Sequence, residues 1–229
     1  MPIYVYAQIV GQESGDNAGP VPTEHTEIRS LGLGLSFLTF QPLQTDHTEE
    51  HQFDIDRKSL AITFQQEPFL IYLDYSNAKS NDVDTKFLNV GLRLDIPILF
   101  EQHGAFKPLL PVSIYSDFLL ASIPNNTESE NLSISSLGIG AGVGLKYDSH
   151  SFDLGFKVVP VFAFSTQAFS AKSGTSKGVS LNAWLVFPNL VNQFGLALGY
   201  RYKYIETDFS ENRFDYQLNL NAITLGVSF

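Results

Sequence analysis

Leu88–Ile98 reads LNVGLRLDIPI, and its alternation decides the fold class. Leu88, Val90, Leu92, Leu94, Ile96 and Ile98 share one face of an extended chain, and Asn89, Gly91, Arg93, Asp95 and Pro97 share the other. Leu137–Tyr147 repeats the dyad, with Gly138, Gly140, Gly142, Gly144 and Lys146 on the second face. In Leu196–Tyr204, Leu196, Leu198, Tyr200, Tyr202 and Tyr204 alternate with Ala197, Gly199, Arg201 and Lys203. The chain closes on Ile223, Leu225, Val227 and Phe229, separated by Thr224, Gly226 and Ser228. An unpaired Arg or Lys is very costly in a soluble sandwich core. Inside a wet or salt-bridged barrel it is ordinary, and strands that are apolar outside and polar inside are those of outer-membrane β-barrels.

Composition agrees. The chain has 229 residues, 44% of them hydrophobic, with a mean hydropathy of 0.00. A barrel gives that average because every second strand residue faces a polar lumen. No apolar stretch approaches the roughly 20 residues a membrane helix needs. The absence of cysteine removes disulfides, thiolate metal sites and Cys nucleophiles. A net charge of -10 supplies no basic stripe for nucleic acid. Acidic residues such as Glu49, Glu50, Asp82, Asp84, Glu128 and Glu130 read as solvated loops. Residues 1–26 form either a short N-terminal arm or the remnant of an export signal, whose tail would be Ile3–Gln8, and residues 27–229 form the barrel.

Turn-forming clusters divide the chain into runs of period two near 30–41, 52–65, 69–76, 86–100, 105–121, 135–147, 151–165, 177–188, 193–206 and 212–229. The expected fold is therefore all-β, an antiparallel up-and-down transmembrane β-barrel of about ten strands, with eight as the fallback. Two runs lose phase. Phe53 and Ile55 are out of step with Leu60, Ile62 and Phe64, and Leu218 and Leu220 with Ile223, Leu225 and Val227. A β-bulge in each run would explain the slip. Connections alternate between short turns (65–68, 101–104, 148–150, 188–192) and long links (42–51, 77–85, 122–134, 166–176, 207–211). With short turns on the periplasmic side, both termini are periplasmic and the strand count is even.

Aromatic residues flank the short turns on the outward face: Phe64 and Phe69, Phe100 and Phe106, Tyr147 and Phe152, Phe187 and Phe194, and finally Phe229. They are expected to form a periplasmic aromatic girdle. Phe37, Tyr75, Phe118, Phe164 and Tyr204 would form the opposite one. Twelve tilted residues, as from Phe106 to Phe118, span roughly 28 Å, close to the apolar band of such barrels. A lipocalin-like barrel turns its apolar face inward and has no use for such rings.

Leu92–Phe100 (LRLDIPILF) followed by Phe106–Leu120 (FKPLLPVSIYSDFLL) resembles a hairpin of the porin-family, PorT-like outer-membrane β-barrel proteins of Bacteroidota. Gly138–Tyr147 and the closing LGVSF are similar to later strands of that family, so the resemblance covers roughly residues 86–229. It implies the fold, a Gram-negative outer-membrane location, and recognition of the terminal strand by barrel assembly machinery. It implies no cofactor and no catalytic set.

The segment His47–His51 (HTEEH) fits the inverted zinc-peptidase pattern H-x-x-E-H. That chemistry needs a helix and a further acidic ligand, and this segment lies in a polar loop without helical flanks. It reads as coincidence. His103 and His150 sit in short turns, away from an outer rim, and no Ser–His or Asp–His arrangement stands out, so no catalysis is expected. The inward charges are the candidate functional residues. Asp74, Arg93, Asp95, Lys107 and Asp117 face the lumen in this phase, as do Lys146, Asp153, Lys157, Arg201 and Lys203. Both signs are present, which predicts ion pairs filling the barrel. The expected role is structural or binding, exercised through the surface loops in outer-membrane lipid. A narrow diffusion pore is the first alternative, and a barrel enzyme acting on lipid or peptide the second.

Overall fold

The alternation builds eleven antiparallel strands in one sheet that closes on itself. They are β1 (Arg29–Pro42), β2 (Ile55–Gln66), β3 (Phe69–Ser80), β4 (Val83–Leu99), β5 (Phe106–Pro124), β6 (Ser129–Ala141), β7 (Val143–Asp148), β8 (Asp153–Gln167), β9 (Lys172–Val191), β10 (Phe194–Phe209) and β11 (Tyr216–Ser228). The computed structural model describes residues 29–42, 55–80, 83–99, 106–124, 129–149, 151–167, 172–209 and 215–229. Neighbours in the sheet follow chain order, and β1 pairs with β11 to close the ring.

β6 and β7 are two pieces of one strand. Val112 of β5 faces Ala141 of β6 and Leu109 faces Gly144 of β7, an unbroken register. The break at Gly142 has a local cause. Gly142 N donates to Pro111 O at 3.0 Å, and Pro111 has no N–H with which to return the bond. The wall is thus ten strands thick in circumference, as the sequence predicts.

Paired residues trace the tilt of the strands. From Arg29 the partners run through Gln66, Phe69, Leu94, Ile114, Ile139, Phe162, Lys177, Glu206 and Gln217, and return to β1 at Gln41. A circuit that ends twelve residues further along requires a tilt near 40°. Each residue then climbs about 2.5 Å along the barrel axis, and each step to the next strand on this path about 3 Å.

Among the described residues the expected bulges are absent, Phe53 lying outside them. β11 pairs with β1 without interruption from Tyr216 to Ser228, and β2 pairs with β1 from Ile55 to Gln66. A register shift does occur elsewhere, between Phe194 and Leu196. What changes in β2 and β11 is the role of each face. Leu60, Ile223, Leu225 and Val227 point outward, whereas Ile55, Leu218 and Leu220 are buried inside with Asp56 and Lys58 exposed on the outer face. The lumen turns apolar towards the long-link end, where Leu38, Phe40, Ile55, Phe87, Leu119, Ile134, Phe209, Tyr216 and Leu218 form a core. Phe40 stacks on Tyr216 at 4.7 Å and tilts against Phe87 at 6.0 Å.

The strands also invade the expected long links. β3 runs to Ser80 and β4 starts at Val83, β5 runs to Pro124, and β9 starts at Lys172. Asn77, Ser173 and Thr175, exposed in these extensions, are polar, so hydrophobic alternation fades while the backbone ladder continues.

Candidate functional site in the lumen

The lower, charged part of the lumen is built from inward residues of strands that lie nearly opposite one another. Arg201 on β10 meets Asp74 on β3, Nη2 to Oδ1, at 2.7 Å, and Asn89 donates to the other oxygen of Asp74 at 2.9 Å. Lys203 pairs with Asp117 at 2.7 Å, and the Tyr72 hydroxyl donates to the same carboxylate. The Arg201 guanidinium lies 4.0 Å from the centroid of the Tyr72 ring, a close cation–π contact. Towards the short-turn end, Arg93 donates to Asp95 at 2.5 Å and reaches Ser180 on the far wall at 2.8 Å. Lys157 lies 3.6 Å from Asp95 and 3.8 Å from Glu67. Lys146 is 3.3 Å from Glu67, and Lys107 is 2.6 Å from Asp148. Asp153 is buried beside this group.

All ten charges expected in the lumen face inward. Asp74, Arg93, Asp95, Asp117, Asp153, Lys157, Arg201 and Lys203 are buried, and Lys107 and Lys146 are half-buried. Sequence reasoning missed Glu67 and Asp148, both at short turns, although a surplus of two cations among the ten was a signal that partners were missing. With them, six cations face six carboxylates, and this tier is electrically neutral. The chain's net charge of -10 therefore lies outside it.

Bulky inward aromatics require glycine on the adjacent strand. A Cβ on Gly91 would sit 2.0 Å from Cζ of Tyr72, and one on Gly155 would sit 2.3 Å from the Trp184 ring. Between the side chains remain cavities of about 30 and 10 Å³. The first lies where the charged tier meets the apolar core, lined by Asn89, Tyr115, Asp117, Lys203 and Leu218 among others. Such spaces hold a water or two and no solute.

On the outer face, Phe69, Phe106, Phe194 and Phe229 are exposed, and Phe64, Tyr147, Phe152 and Phe187 half-buried. Phe106, Tyr147, Phe152 and Phe187 run ring to ring at centroid distances of 4.7, 5.5 and 6.2 Å. Phe100 lies outside the described residues, as do His47–His51, His103 and His150.

No family model matches the sequence, and no curated protein matches it. Among solved structures, the outer-membrane protease OmpT from Escherichia coli is similar over 89% of this chain and 96% of its own, at 11% identity and a TM-score of 0.51. Neisserial surface protein A is matched over 87% of this chain and 95% of its own, with 14% identity and a TM-score of 0.35. Ail of Yersinia pestis is matched over 89% and 99%, with 15% identity and a TM-score of 0.24. The likeness to OmpT is one of fold alone. The fold is the antiparallel up-and-down β-barrel of outer-membrane proteins.

Proposed function

We propose that this chain is a resident β-barrel of a Gram-negative outer membrane, with a closed lumen and no catalytic activity. It acts through the surface at its long-link end. One observation carries the reading: a neutral, cross-lumen ion-paired tier lies in series with an apolar core. A solute path would need both to open, and a charge-balanced lining gives an ion no field to follow. Barrels of about eight strands are filled by side chains, and ten is close to that limit.

The outer face supports the membrane setting. Exposed Leu, Ile and Phe cover it between an upper level of aromatics and a lower set, in which Phe64 and Phe69 stand about 12 Å higher than Phe194 and not in one ring with it. By the path of paired residues, Phe37, Tyr75, Phe118, Phe164 and Tyr204 fall within about 4 Å of one height. The resemblance to PorT-like barrels, short turns on the periplasmic side and recognition by barrel assembly machinery belong to the same proposal.

Recording from purified protein in planar bilayers tests it. The expected trace is flat, with at most rare small openings. A steady conductance of large amplitude would establish the diffusion-pore alternative, and hydrolysis of lipid or peptide the enzymatic one.

A further inference from the structure

We propose that the bilayer leaflet at the short-turn end is thinned beside β1–β3, with lipid head groups and water drawn up against Arg29 and Gln66. This rests on the membrane reading above. The apolar outer face is tall on one side of the barrel and low on the other. On β5 it runs from Phe106 to Phe118, about 30 Å along the axis, whereas on β3 it runs only from Phe69 to Tyr75, about 15 Å. The upper limits are level, since Tyr75 partners Leu88 and Leu88 partners Leu120, next but one to Phe118. The deficit is therefore all at the short-turn end, where β2 and β3 turn at Glu67–Pro68 while β5, β8 and β10 continue downward.

The residues at this step are polar where the rest of the ring is apolar. Arg29 is exposed and partners Gln66. At about the same height on the other strands stand Leu110, Leu145, Leu185 and Val227. The sheet itself is open here too. β3 ends at Phe69 opposite Leu94, and below that, among the described residues, a single backbone bond from Asp95 N to Pro68 O at 2.8 Å ties β4 to the β2–β3 turn. The next N–H on that edge would belong to residue 97, which is proline, so an unpairable donor is avoided. Edge carbonyls and a guanidinium at hydrocarbon depth need water or phosphate. Arg29 is the group that meets a raised phosphate.

Depth-dependent fluorescence quenching tests this. In a Trp184→Phe background, Phe69→Trp and Phe194→Trp place a single indole at two positions about 12 Å apart along the axis. The protein is reconstituted in phosphatidylcholine vesicles brominated either near the carbonyl or deep in the acyl chain. Both indoles are expected to be quenched more strongly by the shallow bromines. Arg29→Leu with Gln66→Leu should shift only the indole at 69 towards deep quenching. Strong deep quenching at 69 with shallow quenching at 194, in the protein with Arg29 and Gln66 intact, would mean a flat bilayer and overturn the proposal. Quenching at neither depth for either indole would instead overturn the membrane reading. If Phe69→Trp does not fold, Ile71→Trp, two residues higher on the same face, gives the same contrast.

Discussion

Arg201 and Asp74 stand 127 residues apart in the chain and meet at 2.7 Å across the lumen, both buried. Removing one partner of such a pair strands a charge, whereas replacing both with apolar groups is often neutral. Asp74→Ala should therefore cost about 3–5 kcal/mol, and Asp74→Leu with Arg201→Met much less. Urea unfolding in detergent micelles measures both. Equal losses would show that the pair is not coupled.

The apolar core beyond the charged tier should behave like that of a soluble protein. Phe87→Ala is expected to lose about 3–5 kcal/mol, the usual penalty for emptying a buried aromatic site. Its outer wall should be wet. A cysteine at Asn219 should react with an impermeant thiol reagent on intact cells, and one at Leu225 should not.

Gly91 invites substitution when only the sequence is read, since a serine in a polar lumen looks mild beside Leu94→Arg on the lipid face. The Tyr72 ring reverses that expectation, because it occupies the space a Cβ would need. Gly91→Ser should cost about 1–3 kcal/mol through overpacking. Leu94→Arg should cost less than the about 2–4 kcal/mol of an arginine at mid-membrane, since Leu94 partners Phe69 beside the thinned leaflet. The same unfolding assay compares the two. Tyr72→Ala should remove the penalty of Gly91→Ser.

Phe229 exchanges backbone hydrogen bonds with Arg29, at 2.9 and 3.3 Å, and so ends the seam between the first and last strands. Its deletion should lower assembly in cells far more than refolding into micelles, where burial predicts a loss of only about 1.5–3 kcal/mol. Comparing membrane levels with micelle refolding yields decides whether the terminal residue is read during assembly.

The strand count and the inward phase of all ten lumen charges were legible because period-two alternation survives in the part of the wall between the aromatics. Glu67 and Asp148 were not: Glu67 lies in a turn, which has no face that alternation can assign, and Asp148 is the last residue of β7, where the sequence already reads as a turn. Tyr72 over Gly91 was hidden for another reason: a ring lying across a neighbouring strand leaves no trace in either strand's own pattern. The supposed bulges in β2 and β11 came from assuming one solvent for the whole strand. Leu218, Leu220 and Ile55 keep perfect register and simply face a core, while Asp56, Lys58, Asn219 and Asn221 take the outer face.

That reversal of faces gives the barrel a waterline. Sinking it by one residue pair would drag Lys58 and Asn219 towards oil, and raising it would strip lipid from Leu60 and Ile223. Its depth is thus set by the strands themselves. Lengthening the projecting part would take a matched pair of residues on every strand, whereas lengthening a surface loop takes only one local insertion. Variation in such a molecule is cheap at the loop tips and costly in the collar beneath them.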